Sequence, residues 1–367
     1  MLINDFRQLQ KAKYNHYLSN RQRPYIIYNL VGINENSGSE VTLFKHLLHN
    51  RKPNATRESE NEVKHAMSQY DEEALEKFRL SGKILRESRE EMRSYVRENM
   101  SIIEVCEKAE ALIKQKGGKP AFPCNVSINE VAAHYTSPPN DERRIPEKAI
   151  VKVDLGVHVD GYVTDTAFTA CFNTDYMNMQ STAEHALKVA IDNIHSGMST
   201  SKIGEIIEKS IRNRGFKPIA NLTGHSVGRY LIHAGTSIPN VAQISLKKVK
   251  AGEIYAIEPF VTLPDAVGRV ENSSEITIFR LVKAKSVKNP YAKQLLKYIE
   301  DNFRTLPFAE RWLKSVVPAD QHREAFKELR KSKAVMGYPV FIEVSRKPVT
   351  QAEHTLLITE NGCEVLT

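Results

Sequence analysis

Residues 151–168 read VKVDLGVHVDGYVTDTAF. Apolar and polar side chains alternate on both sides of Asp160-Gly161, a dipeptide that favours a two-residue hairpin turn. Such a turn sets Val159 opposite Tyr162 and therefore Asp154 opposite Ala167. Asp165 then becomes the same-face diagonal neighbour of Asp154, with Cβ atoms roughly 7 Å apart. Two anions so placed among apolar strand residues repel each other and lose hydration unless cations lie between them. That spacing suits a pair of metal ions about 3.5 to 4 Å apart. In the alternative reading one aspartate faces solvent and the other caps a turn, and this stretch alone leaves both open.

Three later segments bear on the choice. Leu222-Thr223-Gly224-His225-Ser226-Val227-Gly228 sets an imidazole among glycines, where backbone can approach closely. Residues 253–260, EIYAIEPF, read as a strand with Glu258 at its end, and 351–357, QAEHTLL, place Glu353 at the start of another. A carboxylate entering a buried strand normally has a partner. Four carboxylates and one imidazole form a hard donor set that suits Mn, Fe, Co or Zn better than a thiolate zinc site does. Gly224 to Gly228 also spells G-x-S-x-G, the serine-hydrolase elbow. That motif requires a buried strand before it and a long helix after it; upstream PIANLT is a poor strand, and Pro239 follows too soon.

Working outward, residues 100–120 align without gaps to residues 198–218, with identical Met, Ser, two Glu, Ile, Gly, Lys and Pro. Both copies read as an amphipathic helix stopped by Gly117 or Gly215, followed by a proline three residues later. A histidine follows each copy, His134 in the first and His233 in the second. Two related αβ halves facing each other are expected, unless the match reflects only shared Lys/Glu-rich helix composition. A periodic helix begins after Met67, with Leu75, Phe78, Leu80, Ile84 and Leu85 expected on one buried face. From Asn289-Pro290, a cap and first-turn proline, to about Gly337 the chain reads as wholly helical. Strand patterns return in YPVFIEV and TLLIT and end at an Asn361-Gly362 turn.

The expected organisation is a leader at 1–66, a catalytic domain at 67–284 and 338–367, and a helical insertion at 285–337. The leader holds ten Lys/Arg against six Asp/Glu and lacks sustained periodicity. It is expected to be disordered, or to precede a true start at Met67, with a packed extension carrying a strand at Tyr25 to Val31 as the alternative. Of 367 residues, 41% are apolar and 26% charged, ordinary for a globular chain. The start of the chain has no apolar signal region, and no apolar run is long enough to span a bilayer. Four scattered cysteines suit a reducing cytoplasm. A net charge of +8 permits loose attraction to RNA or the ribosome. No motif for specific nucleic-acid recognition accompanies it.

The segments FPCNVSINEVAAHYTSPPND, VDLGVHVDGYVTDTAFT, NLTGHSVGRYLIHAG, YAIEPF and QAEHTLL resemble a type II methionine aminopeptidase of the pita-bread creatinase/aminopeptidase fold. The resemblance runs from about Tyr70 to the end. It implies an α+β fold with a pseudo-two-fold antiparallel sheet backed by helices and a winged-helix-like insertion, which NFRTLPFAERWL resembles. The family's ordered ligands hold two divalent metals and fall here on Asp154, Asp165, His225, Glu258 and Glu353. The resemblance gives Asp154 to one metal, His225 and Glu258 to the other, and Asp165 and Glu353 to both. It makes Glu258 an acid/base as well, assigns His233 to the substrate carbonyl, and assigns His134 to the scissile amide. Fumagillin-type spiroepoxides alkylate the family's histidine at the position of His134. Phe122 and Ile232 match the methionine pocket, and Tyr338 and Phe341 complete it.

The expected activity is removal of the initiator methionine from nascent polypeptides by a cytoplasmic monomer without a membrane partner. Two alternatives share the fold. A prolidase or Xaa-Pro aminopeptidase usually carries a large N-terminal domain, for which 66 polar residues are inadequate. A non-catalytic RNA- or ribosome-binding scaffold would have lost ligands, and this chain keeps all five.

Overall fold

The computed structural model of the protein describes residues 70–283 and 286–367, all within one compact unit. The leader, the alternative start at Met67 and the strand at 25–31 lie outside the described residues. The described helices are α1 (Glu72–Tyr95), α2 (Ile102–Gln115), α3 (Met177–Asn193), α4 (Thr200–Asn213), α5 (Pro290–Phe303) and α6 (Ala319–Lys331). The first strands are β1 (Lys119–Ile128), β2 (Val131–Ala133), β3 (Ile150–Val159), β4 (Tyr162–Cys171), β5 (Lys217–Pro218), β6 (Thr223–Ser226), β7 (Ser237–Pro239) and β8 (Ile254–Ile257). They are followed by β9 (Phe260–Thr262), β10 (Val270–Leu281), β11 (Phe308–Ala309), β12 (Val335–Glu343), β13 (Val349–Gln351), β14 (His354–Ile358) and β15 (Cys363–Val365).

The expected hairpin forms β3 and β4, with Asp154 opposite Ala167, Gly156 opposite Asp165 and Val159 opposite Tyr162. Asp160 and Gly161 take φ of 50° and 92°, the positive values that a right-twisted two-residue turn demands. The strands assemble into four sheets in the orders β1-β3-β4, β11-β10-β12-β2, β13-β9-β5 and β15-β14-β8-β6-β7. Every pairing among the described strands is antiparallel.

The sequence repeat is a structural one. α2 and α4 are both 14 residues long and begin at Ile102 and Thr200, 98 positions apart. Gly117 and Gly215 follow them at φ 88° and 82°. Each helix helps to bury its own core. Val105, Ile113, Val153 and Val157 belong to one, with α1 contributing Ile84 and Leu85. Ile203, Ile207, Tyr255, Ile257 and Leu356 belong to the other, with α3 contributing Ala183 and Leu187. Stacking helices on one face of a twisted antiparallel sheet leaves the other face free to line a cleft.

Three local expectations change. Leu80 is 48% exposed and leaves the buried face of α1, while Phe78, Ile84 and Leu85 stay on it. The last hairpin pairs Ile358 with Cys363, so its connection has four residues and neither Asn361 nor Gly362 takes a positive φ. Asn289 caps α5 through Tyr291 and Ala292, with Pro290 in the first turn. The stretch after it is not wholly helical: Phe308 and Ala309 pair with β10, and β12 already begins at Val335. Phe279, Leu295, Phe308, Phe326 and Leu329 give this stretch a core of its own.

Candidate metal centre

The five predicted donors come from four places along the chain and meet in one cluster. Asp154 and Asp165 come from the hairpin, His225 from β6, Glu258 from just after β8, and Glu353 from just before β14. β6 and β8 pair at His225 and Ala256, and β8 and β14 pair at Ile257 and His354. An isolated bridge joins Ala167 to Glu353, carrying the hairpin to the same spot. Donor atoms of Asp165, His225 and Glu353 lie within 4.8 Å of one another, on residues only 4%, 5% and 2% exposed. His225 Nε2 is 3.7 Å from Asp165 Oδ2 and 3.5 Å from Glu258 Oε1. Those gaps are long for hydrogen bonds. They suit donors around one ion with bonds of about 2.0 to 2.2 Å.

The polar accounting supports a cation. Asn125 Nδ2 donates to Asp154 Oδ2 at 3.0 Å, and Gln351 Nε2 lies 3.4 Å from both Glu258 Oε2 and Glu353 Oε2. Thr355 pins the Asp165 backbone, accepting its N–H at 2.8 Å and donating to its carbonyl at 2.7 Å. Even so, Asp154 Oδ1, Asp165 Oδ1, Glu353 Oε1 and His225 Nδ1 are buried without a hydrogen-bond partner. Orphaned anionic oxygens of this kind are costly, and a divalent ion is what their chemistry accepts.

Burial, partly offset by Asn125, pushes the Asp154 carboxyl up to about 7. Burial, followed by the neighbouring carboxylates, pushes Asp165 and Glu353 well above the usual carboxylate range. Glu258 rises for the same reasons, with Asp154 as its charged neighbour. Burial, then His233, drives the His225 imidazole well below its ordinary value, so a neutral donor nitrogen faces the acids. The unpaired oxygens and the proton-holding acids both fit a divalent metal site.

The other predicted residues lie around this cluster. His233 is exposed in the loop after β6, its ring 4.3 Å from that of His225. His134, at φ 67°, sits with its ring 5.6 Å from Tyr338 and 4.4 Å from Phe341. Burial, and secondarily His233, lowers its imidazole to about 4, leaving it neutral at pH 7. Phe122 and Ile232 belong to a small apolar cluster with Ala121, Val163, Tyr230 and Leu306. A Cβ at Gly156 would fall 2.1 Å from Phe122 Cε1, so this glycine lets the ring lie across the strand pair opposite Asp165.

Asn125, Gln351, Thr355 and Leu306 did not emerge from the sequence reading. Gln351 could have, since it lies two residues before Glu353 and shares its face. Asn125 reaches Asp154 only through the shifted register of β1 on β3. The G-x-S-x-G stretch is no elbow: β6 ends at Ser226, and a loop rather than a helix leads on to β7.

Two related halves around a buried carboxylate and imidazole cluster define the class, a pita-bread metallohydrolase. The sequence profile described as metallopeptidase family M24 matches residues 76–280. A methionine aminopeptidase of Saccharolobus solfataricus is 41% identical over 81% of this chain and 98% of its own length. One of Methanocaldococcus jannaschii is 41% identical over 80% and 99%. Among solved structures, a methionine aminopeptidase of Thermotoga maritima superposes with a TM-score of 0.59 at 22% identity, covering 81% of this chain and 98% of that one. A prolidase of Pyrococcus furiosus gives 0.53 at 19% identity, covering 84% and 67%. This chain belongs to the methionine aminopeptidases of metallopeptidase family M24.

Proposed function

We propose that the chain removes the initiator methionine from new polypeptides, using two divalent metal ions held by Asp154, Asp165, His225, Glu258 and Glu353. The observation that carries this reading is the set of buried, unpartnered carboxylate oxygens beside His225, in a chain whose relatives are named methionine aminopeptidases. By the family pattern, Asp154 would hold one ion, His225 and Glu258 would hold the other, and Asp165 and Glu353 would contribute to both. The hard donor set suits Co, Mn, Fe or Zn. When bound, such ions act as Lewis acids and make water a stronger acid at neutral pH.

The chain's own residues do the rest. Glu258, by the family pattern, takes the proton of the attacking water and delivers it to the departing amine. His233, its ring 4.3 Å from that of His225, donates to the substrate carbonyl oxygen as negative charge develops there. His134 stays neutral and hydrogen-bonds the scissile amide, held between Tyr338 and Phe341. Phe122, Ile232, Tyr338 and Phe341 receive the methionine side chain, whose thioether packs well against rings.

The substrate is the N-terminal methionine of a nascent chain, met in the cytoplasm by a monomer. The charge of +8 supplies a nonspecific attraction to the ribosome. Among the described residues no helix is long and apolar enough to cross a membrane. Mass spectrometry of Met-Ala-Ser and an Xaa-Pro peptide incubated with metal-loaded protein tests the reading. Release of methionine with the Xaa-Pro peptide intact is expected. Preferential Xaa-Pro cleavage would overturn it in favour of a prolidase, and no cleavage of either in favour of a scaffold.

A further inference from the structure

A second buried polar cluster lies away from the carboxylates. Glu110, on α2, and Arg311, in the short 3-10 turn Glu310–Leu313, are 4% and 7% exposed. They form a close ion pair through Glu110 Oε1 and Arg311 Nη2. Trp312 Nε1 donates to Glu110 Oε2 at 2.7 Å, and the backbone N–H of Cys124 donates to Glu110 Oε1 at 3.1 Å. Arg311 Nη1 donates to Thr136 Oγ1 at 2.9 Å and to the Ser137 carbonyl at 3.0 Å. The Thr136 hydroxyl in turn donates to the Cys124 carbonyl at 2.6 Å. Both backbone polar groups of Cys124 and the two residues after Tyr135 are thus fixed by one pair of charges.

Each anchored group adjoins a side chain of the site. Cys124 lies in the register break of β1 between Phe122, of the apolar cluster, and Asn125, which holds Asp154. Thr136 is two residues from His134, and its N–H donates to Thr277 Oγ1 at 3.2 Å. The same Thr277 hydroxyl lies 3.5 Å from the His134 carbonyl. His134 itself sits at a φ of 67°, an uncommon conformation for a non-glycine residue. A buried ion pair gives little net stability once desolvation is counted, but its geometry is demanding. The planar fork of arginine reaches the carboxylate through Nη2 and the hydroxyl and carbonyl through Nη1, a spread that the single ammonium nitrogen of lysine does not span.

We propose that Glu110 and Arg311 are positioning residues through which the segment between α5 and α6 buttresses the substrate side of the site, setting His134 and Phe122 for the methionyl peptide. The proposal rests on the reading of His134 as the group that meets the scissile amide. None of the five proposed metal ligands is touched by the pair, so its effect falls on substrate handling rather than on metal content.

The test uses the full chain, metal-loaded, as Arg311→Lys, Thr136→Val and Thr136→Ser. Metal per chain is measured, together with kcat and KM on Met-Ala-Ser and amide hydrogen exchange at 122–125 and 134–137. Arg311→Lys and Thr136→Val are expected to keep their metal and lose about tenfold to a hundredfold in kcat/KM, as small misplacements do. Exchange should accelerate in those two segments and stay as in the parent along β8 and β14, and Thr136→Ser should restore both readouts. Kinetics within about twofold of the parent would overturn the proposal, whatever the exchange does. So would unchanged exchange at both segments, even with slower turnover. A parent that does not cleave Met-Ala-Ser would break the reading of function instead, and exchange alone would then uphold or overturn the buttress.

Discussion

Glu110 and Glu208 hold the same position in the two repeat helices, α2 and α4, and meet opposite surroundings. Glu110 is buried against Arg311, Trp312 and the Cys124 N–H. Glu208 accepts the N–H of Ala242 at 2.8 Å and pairs with the exposed Arg212 one turn on. The strands that follow diverge too. β1 runs for ten residues, carries Phe122 and Asn125 and leads on to His134, whereas β5 has two residues and leads on to β6, which carries His225, and to the loop carrying His233. A duplicated αβ unit kept its helix and its stop signal while its strands took on different work. On the proposed reading, the first half mainly shapes the substrate side and the second contributes the imidazole donor.

Asp165→Asn, at the junction of the two halves, carries the largest expected effect. It leaves circular dichroism unchanged while bound metal drops and turnover falls by about a thousandfold or more, as losing a shared ligand should. An Asp165→Asn variant that stays metal-replete with ordinary turnover would contradict the assignment. His134→Ala separates the halves further. Turnover on Met-Ala-Ser should fall about a hundredfold, in the range of a lost acid–base or hydrogen-bonding group, with metal content kept. Mass spectrometry should find a spiroepoxide adduct on His134 of the parent and none on the Ala variant. Adduct elsewhere would take His134 away from the substrate.

Next in size is a pH effect on metal-stripped protein. Asp154 rises to about 7 in the fold, and Asp165, Glu258 and Glu353 rise well above their usual range. An acid raised on folding leaves the native state holding more protons than the unfolded one, from about pH 4 up to the folded value. The buried histidines, lowered on folding, act the other way up to about pH 6.5, so the carboxylate effect shows cleanly only above that pH. The melting temperature of stripped protein should fall by a few degrees, about 2 °C or more, between pH 6.5 and 8, and added metal, which displaces those protons, should reverse the trend. A stripped protein that gains stability across that range would show that the carboxylates are not held in their acid form. The smallest effect is expected from Glu208→Gln, the partner of the buttress glutamate. Its kcat and KM should stay within about twofold of the parent, with a stability loss of about 1 kcal/mol or less, since Gln keeps an acceptor for the Ala242 N–H and loses only the charge. A large kinetic loss there would erase the distinction between the halves.

What the sequence disclosed follows from how far apart the interacting residues lie. Asp160-Gly161 fixes the register of its own hairpin, so the Asp154 and Asp165 relation was legible from 18 consecutive residues. The repeat was legible because helix stop chemistry is local. Leu80 misled because five apolar residues over eleven positions leave more than one face to choose from, and burial chose against it. Asn361-Gly362 misled because the strands around it close two residues wider than a tight turn. Arg311 and Glu110 are 201 positions apart, and Asn125 reaches Asp154 across an irregular strand pairing. No local pattern records such contacts, and only the assembled fold brings them together.

Metal titration of stripped protein, with methionine release from Met-Ala-Ser followed at each addition, tests the central claim most directly. Activity should be absent at the start and rise with added divalent ion, and binding should stop at two per chain. In Asp165→Asn the same additions should restore little or none of it. Methionine release by stripped protein, or full metal loading with no release, would contradict the account.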